Sequence, residues 1–571
     1  MNFYYVTFSP ISLPNYYARF LRILLYYPTI LLLFLCATDY SSRICAQDKG
    51  DFSGNLQLIA RFFEPDSARG AINTPFYDYL FYGADAFLTL NYKVAGFDLG
   101  ARYDIYHNSP TFNPTRETNG QAIARWYVAK KVGKLGLIGG YIYDQFGTGT
   151  IFRAYEARTL GIDQSLFGLE VSYNFNDNWR LKALTGRMKD QMDPDLATVR
   201  QYKPIIKGLN LDGVINIGTK VQILPGVSAI SRTIDTKTMQ DIVNEINGYV
   251  VEDRFEPKYN TYAAQFYNTL QVGRVSWYAE AALKTRDVLR NQNGVLFSPK
   301  QGTVLYSTLS YSQKGLGIIL QGKYTKDFDF RVSPNEIRNK GLIHFLPPAA
   351  RQNSGRLTAR YNAATQLLGE WGIQADITAT PKKGLTFNAN FSNIHNLDTA
   401  NLFREIYVEA EIKPHGKPWK STIGVQTVDY NQLVYEQKGD FVNTLTPFAE
   451  FIYKFDKKKS LKTELSYMLT KRDYKLFGKT DPRPNELQDL GDWAWLLVEY
   501  NIAPHWSFSV ADLYGIDKKL HYPTLFAAYT VNSSRFSLSY AKQPSGIVCT
   551  GGVCRFEPAF SGVRFDLMTT F

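Results

Sequence analysis

The sequence predicts an all-β protein: a large antiparallel transmembrane β-barrel of about 24 strands (roughly 22–26), preceded by a cleaved signal peptide. Three observations predict it. The chain closes on an amphipathic strand, its composition is rich in aromatic residues, and segments of alternating polarity are joined by alternately short and long connections. Closure into a barrel gives each backbone N–H and C=O group in lipid a partner.

The C-terminal segment, Gly562 to Phe571, has the period of two that a β-strand requires. One face carries Val563, Phe565, Leu567, Thr569 and Phe571, and the other carries Arg564, Asp566, Met568 and Thr570. A soluble antiparallel sheet can also end in this way. An amphipathic strand that stops on an aromatic residue resembles the terminal strand that the barrel-assembly machinery of bacterial outer membranes recognises. Phe565, Leu567 and Phe571 are therefore the predicted assembly signal.

Aromatic residues make up 15% of the chain, with 39 Tyr and 37 Phe, while the mean hydropathy is -0.25. This composition argues against a bundle of membrane helices and is typical of a barrel with aromatic girdles at both membrane interfaces. A soluble Tyr-rich propeller or β-helix is the alternative, but we find no fixed-period repeat. The aromatic residues expected in the girdles include Trp126, Tyr127, Trp179, Trp277, Tyr278, Trp493, Trp495 and Trp506.

One segment near the N-terminus, Leu21 to Ala37, is apolar enough to form a helix in lipid. Arg19 and Arg22 flank its start and small residues follow it, which predicts a signal peptide over residues 1–46 with cleavage after Ala46. A single membrane anchor is the alternative. Residues 47–571 then form one barrel domain, and its net charge is +10 rather than +12 because three arginines and one aspartate are removed. That excess favours anionic solutes or lipopolysaccharide phosphates, or it reflects only a solvated surface.

Neither Cys36 nor Cys45 follows a small residue, so we do not predict a lipoprotein. Cys549 and Cys554 remain after cleavage, separated by a Thr-Gly-Gly-Val turn. Because export implies an oxidising compartment, we predict a disulfide between them.

The predicted hairpins turn at short polar sequences such as Ala95-Gly96 and Lys314-Gly315. We also predict a turn at Leu224-Pro225-Gly226, between strands at Leu211–Val221 and Val227–Arg232. Short turns belong on the periplasmic side and long loops outside, which places both termini in the periplasm. Charged residues spaced two or four apart should face the lumen, and these include Glu280, Lys284, Glu409 and Glu411.

Two long connections are candidates to narrow so wide a lumen. The first, Phe146 to Asp163, combines glycines with Arg153, Glu156, Arg158 and Asp163, which suggests a loop folded inward and tied to the wall by ion pairs. The second contains the apolar, proline-stiffened segment His344 to Gln352. The predicted lumen and constriction residues are Arg153, Glu156, Arg158, Asp163, Arg351, Glu370 and Asp376. An ordinary external cap is the alternative.

Several motifs resemble an uncharacterised outer-membrane β-barrel family of the Bacteroidota, over nearly the whole mature chain. They are Phe146-Gly147, Gly149, Arg153-Ala154-Tyr155-Glu156, Arg158, Leu160-Gly161, Asp163, Phe345 to Gln352, Ala364-Thr365-Gln366, Gly369-Glu370, Gly372, Gln374, Asp376 and Val548 to Pro558. The resemblance implies an outer-membrane barrel with no established activity and no catalytic residues. The motif at Phe146 is also, more distantly, similar to barrels that organise surface polysaccharide, which is analogy alone.

No enzymatic motif occurs: the six histidines make no metal-spaced pair, and we expect those in loops, including His344, to be solvated. The sequence therefore predicts no enzyme, no metal and no cofactor. The leading hypothesis is a porin-like or substrate-specific channel in the cell outer membrane, constricted by inward-folded loops. The alternative is a non-transporting scaffold that binds surface polysaccharide or partner proteins. Expected partners are outer-membrane lipid and lipopolysaccharide, the barrel-assembly machinery, and a small solute or surface glycan, but no nucleic acid.

Overall fold

The computed structural model describes residues 50–190, 199–337, 339–439, 441–470, 489, 491–550 and 553–571. The predicted signal peptide, residues 1–46, lies outside them. Within the described residues, 24 strands form one antiparallel sheet, and the eighth strand is in two pieces. The strands are β1 Asp51–Phe63, β2 Tyr82–Val94, β3 Phe97–Ser109, β4 Thr118–Val132, β5 Leu135–Ile142, β6 Leu166–Asn174, β7 Trp179–Met188, β8 Ile205–Gly213 with Ile215–Ile217, β9 Val221–Thr233, β10 Asn260–Val272, β11 Val275–Thr285, β12 Gln301–Gln313, β13 Leu316–Lys326, β14 Gly369–Lys382, β15 Leu385–His395, β16 Asn401–Ile412, β17 Trp419–Asn431, β18 Phe441–Lys454, β19 Lys459–Met468, β20 Trp493–Ile502, β21 Trp506–Gly515, β22 Leu520–Val531, β23 Ser534–Gln543 and β24 Phe560–Thr570.

The sheet closes on itself. Each strand pairs with its neighbours in sequence, and β24 pairs with β1 from Asn55 opposite Thr570 to Phe63 opposite Gly562. Closure leaves no free edge in the sheet. The predicted all-β barrel and its strand number are therefore confirmed.

The two faces of each strand differ in polarity, as predicted. In β11, the side chains of Glu280 and Lys284 are buried inside the barrel, while Trp277 and Leu283 point outward and are 46% and 52% exposed. The apolar outer face suits lipid, and the polar inner face suits a hydrated lumen.

The predicted turn at Leu224-Pro225-Gly226 is wrong, because these residues continue β9 and pair with β10. The turn lies between Ile217 and Val221 instead. Proline has no N–H to donate to a neighbouring strand, and β8 breaks between Gly213 and Ile215, across from Leu224 and Pro225. The Leu-Pro-Gly sequence marks an interrupted strand pairing, not a hairpin.

Half of the predicted girdle residues face the interior. Tyr278 donates its hydroxyl to Glu280, and Trp493 is fully buried beneath the guanidinium of Arg360. Tyr127 and Trp495 also contact lumenal carboxylates, those of Asp98 and Glu464. These aromatic rings serve the interior packing, which strand-end position alone does not reveal.

The connections carry small elements of their own. Paired short strands are Asp144–Gln145 with Arg153–Ala154, Glu156–Ala157 with Ile162–Asp163, Leu289–Arg290 with Leu296–Phe297, and Gly546–Thr550 with Val553–Glu557. The helices are α1 Thr236–Asn247 and α2 Gln432–Glu436, with single turns at Ser67–Arg69, Phe76–Leu80, Arg158–Leu160 and Val251–Asp253. Among the described residues, no helix is long and apolar enough to cross a membrane.

Candidate functional site: two loops inside the barrel

Two connections fold into the barrel: the first inner loop, residues 143–165, and the second inner loop, residues 327–368. Their backbones bond to each other, because Arg153 N–H donates to the Ile343 carbonyl at 2.8 Å and Phe345 N–H donates to the Gly149 carbonyl at 3.0 Å. They share a core of fully buried phenylalanines: Phe146, Phe152, Phe328 and Phe330. The two loops therefore pack as one body.

This core continues into the barrel wall. The buried inner side chains of β7 to β12 that pack against it include Leu184, Ile206, Ile230, Ala263, Ala282 and Val304. Apolar residues on the inner face of a barrel would be costly in an open aqueous channel. Their burial fixes both loops against this side of the wall.

The remainder of the second inner loop crosses to the other side of the barrel. We call residues 349–363 the distal arm. Its Leu357 and Tyr361 pack into a second apolar cluster with Phe403, Tyr430 and Trp493, which belong to β16, β17 and β20. On the near side, Lys284 of β11 donates to the Asp329 carbonyl at 2.7 Å. The loop thus bridges wall strands nine steps apart in a closed sheet of 24.

Ion pairs tie the first inner loop to the wall, as its mixed charge predicted. Arg102 of β3 lies 2.6 Å from Glu156 and 3.1 Å from Asp163, and Lys189 lies 2.6 Å from Asp163. Tyr143 donates its hydroxyl to the same aspartate at 2.8 Å. Burial raises the pKa of Asp163, but Lys189 and Arg102 outweigh that effect and lower the pKa from 3.8 to about 2.

The two predicted arginines of this loop have different surroundings. Arg158 lies 2.9 Å from Glu156 and donates to Gln57 of β1 at 3.1 Å. Arg153 instead stacks its guanidinium 4.4 Å from the ring of Tyr155 and 4.2 Å from that of Phe345, and burial lowers its pKa. Arg158 anchors the loop to the wall, whereas Arg153 joins the two inner loops.

Glu370 anchors the base of the second inner loop. It lies on β14, 2.6 Å from Lys323 on β13, and both side chains are almost fully buried. Lys323 Nζ also donates to the Pro347 carbonyl and to Thr365 Oγ1, each at 2.7 Å. One lysine thus binds the wall and two points of the loop.

Arg351 of the distal arm lies 3.6 Å from Asp376 of β14. Arg351 also lies 4.0 Å from Glu409 and 3.9 Å from the centre of the Tyr407 ring. These side chains are only partly buried, and a role for Arg351 and Asp376 in lining the lumen stays a prediction. The structure brings together Arg153, Glu156, Arg158 and Asp163 in one region and Arg351 with Asp376 in another.

His344, expected to be solvated, is 1% exposed. Its Nε2 accepts the Phe330 N–H at 3.2 Å, and its ring lies against that of Phe328. Burial is the main reason that the pKa of His344 falls from 6.5 to about 3; Asp329 raises this pKa, whereas Lys284 and Arg331 lower it. The expectation fails because the apolar residues around His344 form the core shared by both loops.

A third connection enters the site without having been predicted to do so. The hairpin Gly546–Glu557 places Arg555 against the β3–β4 connection, where it donates to the carbonyls of Pro110 and Thr111. A side chain at Gly161 would meet Thr111 O at 2.6 Å and the Arg555 guanidinium at 2.8 Å. In the sequence, the family-like motif Val548 to Pro558 was the signal that could have indicated this contact.

In that hairpin, Cys549 and Cys554 are directly opposite across the strand pair. Their side chains lie outside the described residues, so the disulfide stays a prediction.

At barrel closure, Leu567 and Phe565 of β24 lie opposite Leu58 and Ala60.

The last residue, Phe571, exchanges backbone hydrogen bonds with Gly54 at 2.8 and 3.0 Å. The role of Phe565, Leu567 and Phe571 in assembly stays a prediction.

Among the described residues, no group of His, Cys, Asp and Glu is arranged to hold a metal ion.

A family model described as a family of unknown function (DUF6029) matches residues 25–571. The chain belongs to this family. Among proteins of curated function, none matches the sequence.

Several solved structures align with most of the chain at low sequence identity. The siderophore receptor PirA from Pseudomonas aeruginosa is 10% identical, with 92% of this chain and 81% of the receptor covered and a TM-score of 0.40. OccK8 (OprE) from the same organism is 10% identical, with 92% and 98% covered and a TM-score of 0.37. OccAB3 from Acinetobacter baumannii is 9% identical, with 92% and 100% covered and a TM-score of 0.33. Likenesses this distant carry no inference about activity.

Proposed function

We propose that this family member is a substrate-specific channel of the bacterial outer membrane, restricted by its two inner loops. An apolar outer face, a polar inner face and a closed sheet are what a membrane-spanning barrel requires. Short turns and both termini then face the periplasm, and a signal peptide over residues 1–46 directs export. Lipid and lipopolysaccharide surround the barrel, and the barrel-assembly machinery inserts it.

One observation carries this proposal: the second inner loop crosses the lumen. It is held by Lys284 on one side and by the cluster around Trp493 on the other. A barrel of this size without such a loop would be a wide aqueous hole. A crossing loop whose distal arm retains partly exposed charges, such as Arg351, restricts passage to solutes that fit beside it.

Conductance in planar bilayers tests the proposal. We compare the intact protein with a variant in which a short Gly-Ser linker replaces residues 327–364. Heat-dependent gel mobility checks that both barrels are folded. We expect small, solute-dependent conductance from the intact protein and larger conductance from the variant, because the crossing segment is gone. Silence from both folded proteins would contradict the channel.

A second function, a non-transporting scaffold, is favoured by the shared apolar core. Phe146, Phe152, Phe328 and Phe330 have no solvent exposure, so the two inner loops pack closely against each other at this core. A scaffold would present its outer loops to surface polysaccharide or partner proteins. It predicts a silent intact protein that co-purifies with glycan or with a partner, and loss of that partner when the outer loops are shortened.

A further inference from the structure

The Arg351 side chain of the distal arm lies against the barrel wall, next to an aromatic ring and two carboxylates. The carbon at the centre of the Arg351 guanidinium lies 3.9 Å from the centre of the Tyr407 ring. Its nitrogens lie 3.6 Å from an Asp376 oxygen and 4.0 Å from a Glu409 oxygen. An aromatic face with two carboxylates is a favourable environment for a cation. We call Asp376, Tyr407 and Glu409 the cation cage.

The wall itself holds the cage in place. Glu409 accepts hydrogen bonds from the Tyr407 hydroxyl and from Asn388 Nδ2, both at 2.6 Å. Asp376 accepts one from Asn390 Nδ2 at 3.3 Å. These residues belong to the adjacent strands β14, β15 and β16, so the cage keeps its shape whether or not Arg351 is present.

Arg351 occupies this cage loosely. Both carboxylate distances exceed the roughly 2.7–2.9 Å of a charge-assisted hydrogen bond. Arg351 Nε donates instead to Asn353 on its own loop at 3.1 Å, and the side chain is 24% exposed. A guanidinium held at these distances can be displaced by a cation that makes shorter contacts.

The same wall is acidic beyond the cage. Lys420 lies 2.8 Å from Glu411, and Lys462 is shared between Glu450 at 3.0 Å and Glu464 at 2.6 Å. Lys420 and Lys462 thus pair with three carboxylates, so these wall side chains carry one more negative than positive charge. Such a wall concentrates cations near the cage.

We propose that the cation cage is a binding site for the guanidinium or primary ammonium group of an organic cation, and that Arg351 occupies it as an internal competitor. An incoming cation takes the place over Tyr407, and the Arg351 side chain turns away while the distal arm stays packed on the cluster around Trp493. The proposed channel function is needed only for the passage that would follow, because binding at the cage does not depend on conduction.

Titration calorimetry on the full chain in detergent tests the site. The probe is Nα-acetylarginine amide, which carries a guanidinium and no other charged group, and Nα-acetylcitrulline amide is its neutral match. We expect Nα-acetylarginine amide to bind Arg351→Gln at least about tenfold more tightly than the wild type, because the competitor is removed. Nα-acetylcitrulline amide should bind neither protein.

Two variants remove the cage, and one serves as control. Asp376→Asn and Glu409→Gln, each combined with Arg351→Gln, should lose the gained affinity. Glu411→Gln combined with Arg351→Gln should retain it, because Glu411 pairs with Lys420 outside the cage. Heat-dependent gel mobility confirms that each barrel is folded.

Failure of Arg351→Gln to gain affinity, or equal binding by all folded variants, would overturn the cage. Failure of the channel proposal shows separately, as absent conductance in bilayers. Conductance without cage binding, or cage binding without conductance, therefore identifies which of the two proposals is wrong.

Discussion

Lys323 and Glu370 form a buried ion pair of 2.6 Å between the two strands that the second inner loop connects. The pair lies where the loop leaves and re-enters the barrel wall, and Lys323 also holds the loop at Pro347 and Thr365. The ion pair therefore fixes both ends of the crossing loop to the barrel wall.

Replacing Lys323 with Met should release the second inner loop. The substitution leaves the Glu370 charge buried without its cation, which typically costs about 3–5 kcal/mol. We expect faster protease cleavage within residues 327–368 while the barrel stays folded. The double variant Lys323→Met with Glu370→Leu should recover much of the protection, because no buried charge remains. Equal cleavage of single and double variants would contradict this role of the pair.

Acidification should loosen the shared core of the inner loops through His344. Its pKa is about 3 when packed, below the ordinary 6.5, so the packed state takes up fewer protons than the open state. Packing stability from His344 is complete above pH 6.5 and is lost as the pH falls toward 3. The charged groups facing it are Asp329, Lys284 and Arg331.

Protease accessibility of the second inner loop, measured against pH, checks this expectation. His344→Gln should flatten the profile between pH 6.5 and about pH 3. His505→Gln, at an exposed turn, should leave the profile unchanged. Asp163 contributes a separate loss at lower pH, from its ordinary 3.8 down to about 2, because its pKa is also lowered by packing. An unchanged profile in His344→Gln would show that another group controls the loosening.

Gly161→Ala should weaken the contact between the first inner loop and the hairpin Gly546–Glu557. Gly161 has a φ of +66°, and an added Cβ would meet Thr111 O at 2.6 Å. The backbone conformation alone costs a residue with a side chain about 1–2 kcal/mol, and the close contact adds to it. Hydrogen exchange should rise at residues 156–163. Gly218→Ala has a similar φ of +60° but open space around it, so it reports the backbone cost alone.

The facing positions of Cys549 and Cys554 lead us to expect a disulfide in the exported protein. Intact mass spectrometry with a thiol-reactive label should find no labelled cysteine before reduction and two after it. Labelling of both residues without reduction would reject the disulfide.

The strand pattern could be predicted from the sequence because the membrane imposes it locally. Alternating side chains must divide between lipid and lumen, and each hairpin needs residues that turn. The number of strands, the inward charges at Glu280 and Lys284, and the two inner loops all follow from such local signals. The Leu224-Pro225-Gly226 segment misled because a proline can mark either a turn or a break in strand pairing.

Only the tertiary structure decided which partners meet inside the barrel. His344 and Trp493 look like solvated or membrane-interface residues in sequence, yet both are buried where the second inner loop packs. Arg555 reaches the site from a hairpin more than 380 residues after Gly161. The sequence determines a closed barrel with loops long enough to enter it. Packing across the lumen depends on contacts between distant segments, and no local pattern encodes these.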